Sequence, residues 1–234
     1  MLVEPCLRDA RGEALARPWH LGSECDGGVA QHVRVAARHA HRIESPLDDI
    51  ARASFPCSHA TAEKMLARAG IGAGEVVLVT GTPGGVGSAA VQLARARGAE
   101  VISGAGGAKA ARLRDLGAAR TLDRGADLLA GLGPDSVDAV VDLVAGPDCP
   151  ALPGILRPGG RSAVACAIGG PLVTVDMRTL YLKGLGFFGT TVHGPQVFPD
   201  LAGRIGRGEI APLVAAQEVF LRKDDVGKIV LTLP

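Results

Sequence analysis

Glu75-Val-Val-Leu-Val-Thr-Gly-Thr-Pro-Gly-Gly-Val-Gly-Ser-Ala-Ala-Val-Gln-Leu-Ala-Arg95 is the stretch whose reading decides the fold. Val76, Val77, Leu78 and Val79 form an unbroken apolar, mostly β-branched run, the pattern of a parallel strand covered on both faces. Gly81, Gly84, Gly85 and Gly87 follow directly, with Pro83 stiffening the turn. Val86, Ala89, Ala90, Leu93 and Ala94 then recur at helical spacing. Glycines here let the chain reverse sharply and let backbone come close to a pyrophosphate. The first-turn N–H groups of the helix then face phosphate oxygens, and the helix dipole favours their charge. A lone glycine turn would be weak support, but a strand precedes it, a helix follows, and a second strand starts near Val101.

The pattern continues toward the C-terminus. Gly98 to Gly104 reads as the second strand, Lys109 to Leu116 as a helix stopped by Gly117, and Arg120 to Leu122 as a third strand. Val137 to Val144 is a fourth strand with its own buried run. Pro158-Gly159-Gly160 marks a turn into a fifth, Ser162 to Ala167, and Gly184 to Thr190 is a sixth. Strands alternating with helices predict an α/β fold with a doubly wound parallel sheet.

Upstream, Leu47 to Ala69 reads as helical with a break at Pro56 and Asp48-Asp49 near one start. Leu2 to Pro5 reads as the end of a strand, and residues 6–20 as an exposed polar lobe. Val29 to Val35 alternates as a strand would, and His39, His41 and Ile43 suggest another short one. Few short strands cannot close a core alone, so something must cover them. Gly227 to Leu233 is expected to be one more strand, returning to this first sheet.

Composition narrows the function classes. At 234 residues and 47% hydrophobic content the chain can bury a sizeable core. A net charge of +1 gives no electrostatic case for nucleic acid or an acidic membrane surface, and no apolar run reaches bilayer length. The five cysteines are dispersed and form no CxxC pair, which argues for reduced thiols and a cytoplasmic location.

Taken in order, Leu21 to Val33, Phe55-Pro-Cys-Ser-His-Ala-Thr61, the Gly81 to Gly87 loop, Leu152 to Arg161 and Val226 to Leu231 resemble the medium-chain dehydrogenase/reductase superfamily, the zinc-type alcohol dehydrogenases and quinone oxidoreductases. The resemblance implies a Rossmann domain, residues 51–195, inserted in a GroES-like β domain. Residues 1–50 would be part of that β domain, and 196–234 would return to it. It implies hydride transfer to or from NAD(P)H in the cleft between the two, and a homodimer paired through the sixth strand. It also implies that Met1 falls where the β domain is already under way, so that a catalytically impaired nucleotide-binding remnant is the rival reading.

Individual residues carry the site expectations. Gly81, Pro83, Gly84, Gly85, Val86 and Gly87 would hold the pyrophosphate. NAD sites place a carboxylate about 20 residues past the glycine loop. Ser103-Gly-Ala-Gly-Gly-Ala-Lys109 has none, so NADP is preferred over NAD, with Ser103 and Lys109 on the 2′-phosphate. Lys109 resembles a lysine of NADP-dependent quinone reductases, and its competing reading is a solvated first-turn lysine. Val144-Ala145 and Ala167-Ile168 follow the fourth and fifth strands, where their amides could position ribose and carboxamide. By resemblance Thr61 lies near the nicotinamide. Cys57 stands where zinc-dependent relatives keep a catalytic ligand, but one thiolate cannot hold a catalytic zinc, and a packed thiol is expected instead. Only Cys6 falls in the region of the four-cysteine structural zinc loop, so no metal site is expected. His20 and Cys25 read as surface residues, and His32, His39 and His41 as exposed polar positions. Asp138 and Asp142 flank the fourth strand, where salt bridges or turn hydrogen bonds account for them. Tyr181 and Lys183 have the wrong spacing for a short-chain catalytic pair.

Overall fold

The computed structural model describes residues 1–8, 19–104, 109–123, 125–212, 214–215 and 228–229. Its centre is a six-stranded parallel sheet of β3 (Val76–Val79), β4 (Glu100–Gly104), β5 (Arg120–Leu122), β6 (Val137–Asp142), β7 (Leu156–Val164) and β8 (Gly186–Gly189). The spatial order β5-β4-β3-β6-β7-β8 reverses direction between β3 and β6. It is the doubly wound dinucleotide-fold order, in which ligands lie beyond the carboxyl ends of the strands at that reversal.

Alternation along each strand explains why the apolar runs are continuous. Val77 and Val79 of β3, Val101 of β4, Ala139 and Val141 of β6 and Ala163 of β7 bury one sheet face. Against them pack α2 (Ser58–Arg68) through Met65 and Leu66, and α3 (Gly85–Ala96) through Ala89, Ala90 and Leu93. The same core takes in α4 (Lys109–Asp115) through Leu113 and α8 (Val197–Gly206) through Phe198, Leu201 and Ile205. Leu78, Ile102 and Val140 turn the other way, onto Leu152 and Ile155 of α6 (Leu152–Ile155), with α5 (Leu128–Leu132) beside them. α1 (Asp49–Ala53) precedes the break at Pro56, and the Asp48 carboxylate caps it by accepting Ala51 N–H at 2.8 Å. Asp127 caps α5 and Asp176 caps α7 (Met177–Leu182) in the same way.

Several expectations change. Val29 to Val35 is no strand: it runs as exposed coil, with Val29 85% exposed. Among the described residues no strand pairs with it. β1 (Leu2–Val3) instead pairs antiparallel with β2 (Ala40–His41). The fifth strand begins at Leu156, before Pro158-Gly159-Gly160. Those residues form a bulge, because pairing with β6 jumps from Val137↔Leu156 to Ala139↔Arg161. Lys228–Ile229, as β10, pairs parallel with Val214–Ala215, as β9, and not with the first segment's sheet. The rest of that predicted strand, and most of the predicted 6–20 lobe, lie outside the described residues.

The N-terminal segment is tied down by charge. Glu4 is fully buried and its carboxylate takes the Arg8 guanidinium at 2.6 Å, with His39 at 3.3 Å and His41 at 3.5 Å. His39 and His41 are therefore interior groups, contrary to their expected exposure. His41 also stacks near Phe198 of α8, which joins this segment to the main core. Cys6 is buried with its thiol on the His193 backbone, and burial pushes that thiol up. Among the described residues no helix is long and apolar enough to cross a membrane.

Candidate functional site at the switch point

The site grows from the carboxyl ends of β3 and β6. Gly81 turns the chain out of β3 with φ +63, and a side chain there would press on Val144 and Leu143 at about 3.1–3.2 Å. At Gly87 an added Cβ would sit 2.5 Å from both Gly81 O and Thr82 Cα, so α3 lies directly on the turn that precedes it. Gly84 is exposed and opens α3 without a side-chain cap, unlike α1, α5 and α7. That leaves the first-turn amides to a ligand, and an anion is what such amides and the helix dipole attract. Pro83, Gly85 and Val86 are half-buried along the same turn, and Val86 packs on the core.

Ser103 departs from its expected role. It is fully buried, and its hydroxyl donates to Thr82 Oγ1 at 2.8 Å, while Thr82 donates to Gly104 O at 3.2 Å. Ser103 thus supports the glycine loop from beneath, because the odd–even alternation of β4 turns it into the sheet. Lys109 opens α4 and is half-buried, and residues 105–108 before it lie outside the described residues.

On the β6 side, Asp142 Oδ1 accepts the Thr80 hydroxyl at 2.7 Å, Val144 N–H at 3.0 Å and Ala145 N–H at 3.1 Å. Thr80 Oγ1 in turn accepts Leu143 N–H at 2.9 Å. The amides of Val144 and Ala145 therefore point inward and are engaged, where the sequence expected them to meet a ligand. Ala167 and Ile168, after β7, are exposed beside them. Gly169 N–H binds Val144 O at 2.8 Å, so the two loops touch. Both Asp138 carboxylate oxygens accept Arg157 Nη1 at 2.8 Å, and Oδ2 also accepts Val76 N–H, a structural role as expected. Lys183 donates to the carbonyls of Pro153, Gly154 and Leu156, which fixes it as a structural cation.

Thr61 lies in the first turns of α2, its hydroxyl bonded to Cys57 O at 2.8 Å. Cys57 is exposed at the start of that helix, a correction to the packed thiol expected. All five cysteines are free thiols, and His20 and Cys25 are partly exposed. A catalytic zinc needs three protein ligands. Among the described residues no group of three or more His, Cys, Asp or Glu is arranged to hold a metal. Sequence reading missed Glu4, Thr80 and His193. A run of β1 into a buried Glu had no periodic signal, and Thr80 became visible only once β3 and β6 were neighbours.

The fold and the glycine cradle define a doubly wound dinucleotide-fold protein. Residues 85–206 match the model of the zinc-binding dehydrogenase family, and the chain belongs to that family, within the medium-chain dehydrogenase/reductase superfamily. A crystal structure assigned as an alcohol dehydrogenase of Sinorhizobium meliloti 1021 is 40% identical, with a TM-score of 0.89 over 97% of this chain and 67% of its own. An NAD-dependent alcohol dehydrogenase structure is 25% identical, with a TM-score of 0.88 over 99% of this chain and 75% of its own. Acryloyl-coenzyme A reductase of Metallosphaera sedula is 28% identical over 89% of this chain and 66% of its own length. The chain thus spans about two thirds of the length of such relatives.

Proposed function

We propose that this chain is an NAD(P)H-dependent oxidoreductase that passes hydride between a nicotinamide and a carbonyl, quinone, activated alkene or alcohol. The observation that carries this is the uncapped, exposed α3 N-terminus behind a turn that leaves no room for a Cβ at Gly87 and little at Gly81, set at the β3/β6 reversal. Membership of a dehydrogenase family supports it. When bound, the cofactor supplies or accepts the hydride. The chain's own residues bind and orient: the Gly81–Gly87 loop takes the pyrophosphate, and the Val144 and Ala167–Ile168 loops flank the nicotinamide half, with Thr61 facing it from α2. Orientation in a cleft with little water is the contribution such groups make. Ser103 acts indirectly, through Thr82.

NADP is the preferred form over NAD. No carboxylate stands between Ser103 and Lys109 to repel a 2′-phosphate, and Lys109 begins the helix that follows β4. The substrate is a small molecule. A second copy would pair through β8, which is the sheet edge, with Phe187 37% exposed on it and Tyr181 and Leu182 exposed nearby. Five free thiols suit the cytoplasm.

The test is a panel of quinones, enones, enoyl thioesters and aldehydes offered with NADPH, following loss of the reduced-nicotinamide absorbance. Turnover with one class supports the proposal. NADPH that binds but is not oxidised with any class would point to binding without catalysis.

A further inference from the structure

We propose that Asp142 is a positioning residue for the nicotinamide half of the cofactor, acting through the backbone of residues 143–146. The inference rests on the dinucleotide reading above. Asp142 ends β6 at the topological reversal and is 3% exposed, yet a single carboxylate oxygen gathers three donors: the Thr80 hydroxyl and the amides of Val144 and Ala145. With Thr80 accepting Leu143 N–H, three successive amides are drawn inward and their peptide planes are fixed.

That turn is strained. Ala145 is held at φ +54 and Gly146 at φ +68, and Ala145 is one of only two non-glycine residues with positive φ among the described residues. For a non-glycine residue such as Ala145 this conformation is unfavourable and persists only where its surroundings impose it. Hydrogen bonds to a charged oxygen are the stronger kind and supply that imposition.

The strain has a structural consequence. With the chain turned this way, Gly146 meets Gly169 so closely that a Cβ would lie 2.4 Å from Gly169 O, and Gly169 N–H closes on Val144 O at 2.8 Å. One carboxylate therefore sets the 143–146 loop directly and the Ala167–Gly170 loop through it. These two loops flank the crevice beyond β6 and β7. The glycine loop beyond β3 has its own support in Ser103 and Thr82. Two separate props thus serve two halves of one ligand, Ser103–Thr82 the phosphate half and Thr80–Asp142 the nicotinamide half.

Calorimetric titrations of the whole chain with NADPH and with 2′-phospho-ADP-ribose, which lacks the nicotinamide, test this. Asp142→Ala is expected to weaken NADPH about tenfold while leaving 2′-phospho-ADP-ribose as in the parent. Asp142→Asn, which keeps an oxygen acceptor in place, should restore most of the NADPH affinity. Ser103→Ala should weaken both ligands together. If Asp142→Ala does not fold, Thr80→Val removes the hydroxyl that orients Asp142 and accepts Leu143 N–H while leaving the Val144 and Ala145 bonds, so a smaller loss with the same selectivity for NADPH over 2′-phospho-ADP-ribose is expected. Equal weakening of both ligands by the clamp variants, or no weakening of NADPH, overturns the inference. A parent chain that binds neither ligand overturns the dinucleotide reading itself and this inference with it.

Discussion

The Cβ position of Gly87 falls 2.5 Å from the carbonyl oxygen of Gly81 and 2.5 Å from the Cα of Thr82. Both neighbours are backbone, so nothing flexible can give way. Gly87→Ala should force the turn and helix apart at a cost of about 1–3 kcal/mol or more, and lower both the melting temperature and cofactor affinity. At Gly84 the nearest atom is 3.5 Å away, and Gly84→Ala should melt like the parent. Thermal melts followed by circular dichroism separate the two. Equal behaviour would mean the cradle is not as tight as described.

Glu63 of α2 is 3% exposed and meets Arg97 at 2.5 Å, with Arg204 of α8 at 3.9 Å. Removing one partner of such a pair leaves a buried charge alone. Glu63→Ala should therefore destabilise by about 3–5 kcal/mol, and a Glu63→Leu, Arg97→Leu double variant should recover most of it. Urea unfolding of both variants checks the non-additivity. A Glu63→Ala loss under about 1 kcal/mol would show that the pair is effectively solvated.

His193 is buried, and desolvation first, then His20, Lys64 and Arg8, hold its pKa down from 6.5 to about 4. Between pH 6.5 and about 4 the unfolded chain takes up a proton that the folded chain refuses. Stability from this group is therefore full above pH 6.5 and declines as pH falls toward 4, by up to about 3 kcal/mol. Denaturant unfolding across that range should show the slope, and His193→Phe should flatten it. An unchanged slope in the variant would assign the acid sensitivity elsewhere.

Lys183 closes three carbonyls and pairs with Asp135 at 2.7 Å. Lys183→Met should cost about 1–3 kcal/mol of stability and leave NADPH affinity unchanged, as befits a residue remote from the chemistry. Loss of binding without loss of stability would place Lys183 in the site.

The sheet was legible because its central strands carry unbroken apolar runs and a glycine cluster marks the turn from β3 into α3. Val76–Val79, Arg120–Leu122 and the Asp48 cap all lie where their patterns put them. Period-2 alternation misled at Val29 to Val35, since a pattern fixes a strand only if a neighbour pairs with it. The site was legible as a set of loops but not as side-chain roles. Ser103 and the amides near Val144 look available in sequence. Their partners, Thr82 and Asp142, are 21 and 2 residues away in the chain, and only the folded strand ends show the hydroxyls and carboxylate turned inward. Glu4 and His39, 35 residues apart, meet only after β1 pairs with β2.

The most direct measurement is a titration of the chain with NADPH and with NADH, following nicotinamide fluorescence. Saturable binding of both, tighter for NADPH and weakened in Gly87→Ala, is the predicted result. A parent chain that binds neither nucleotide would contradict the account at its centre.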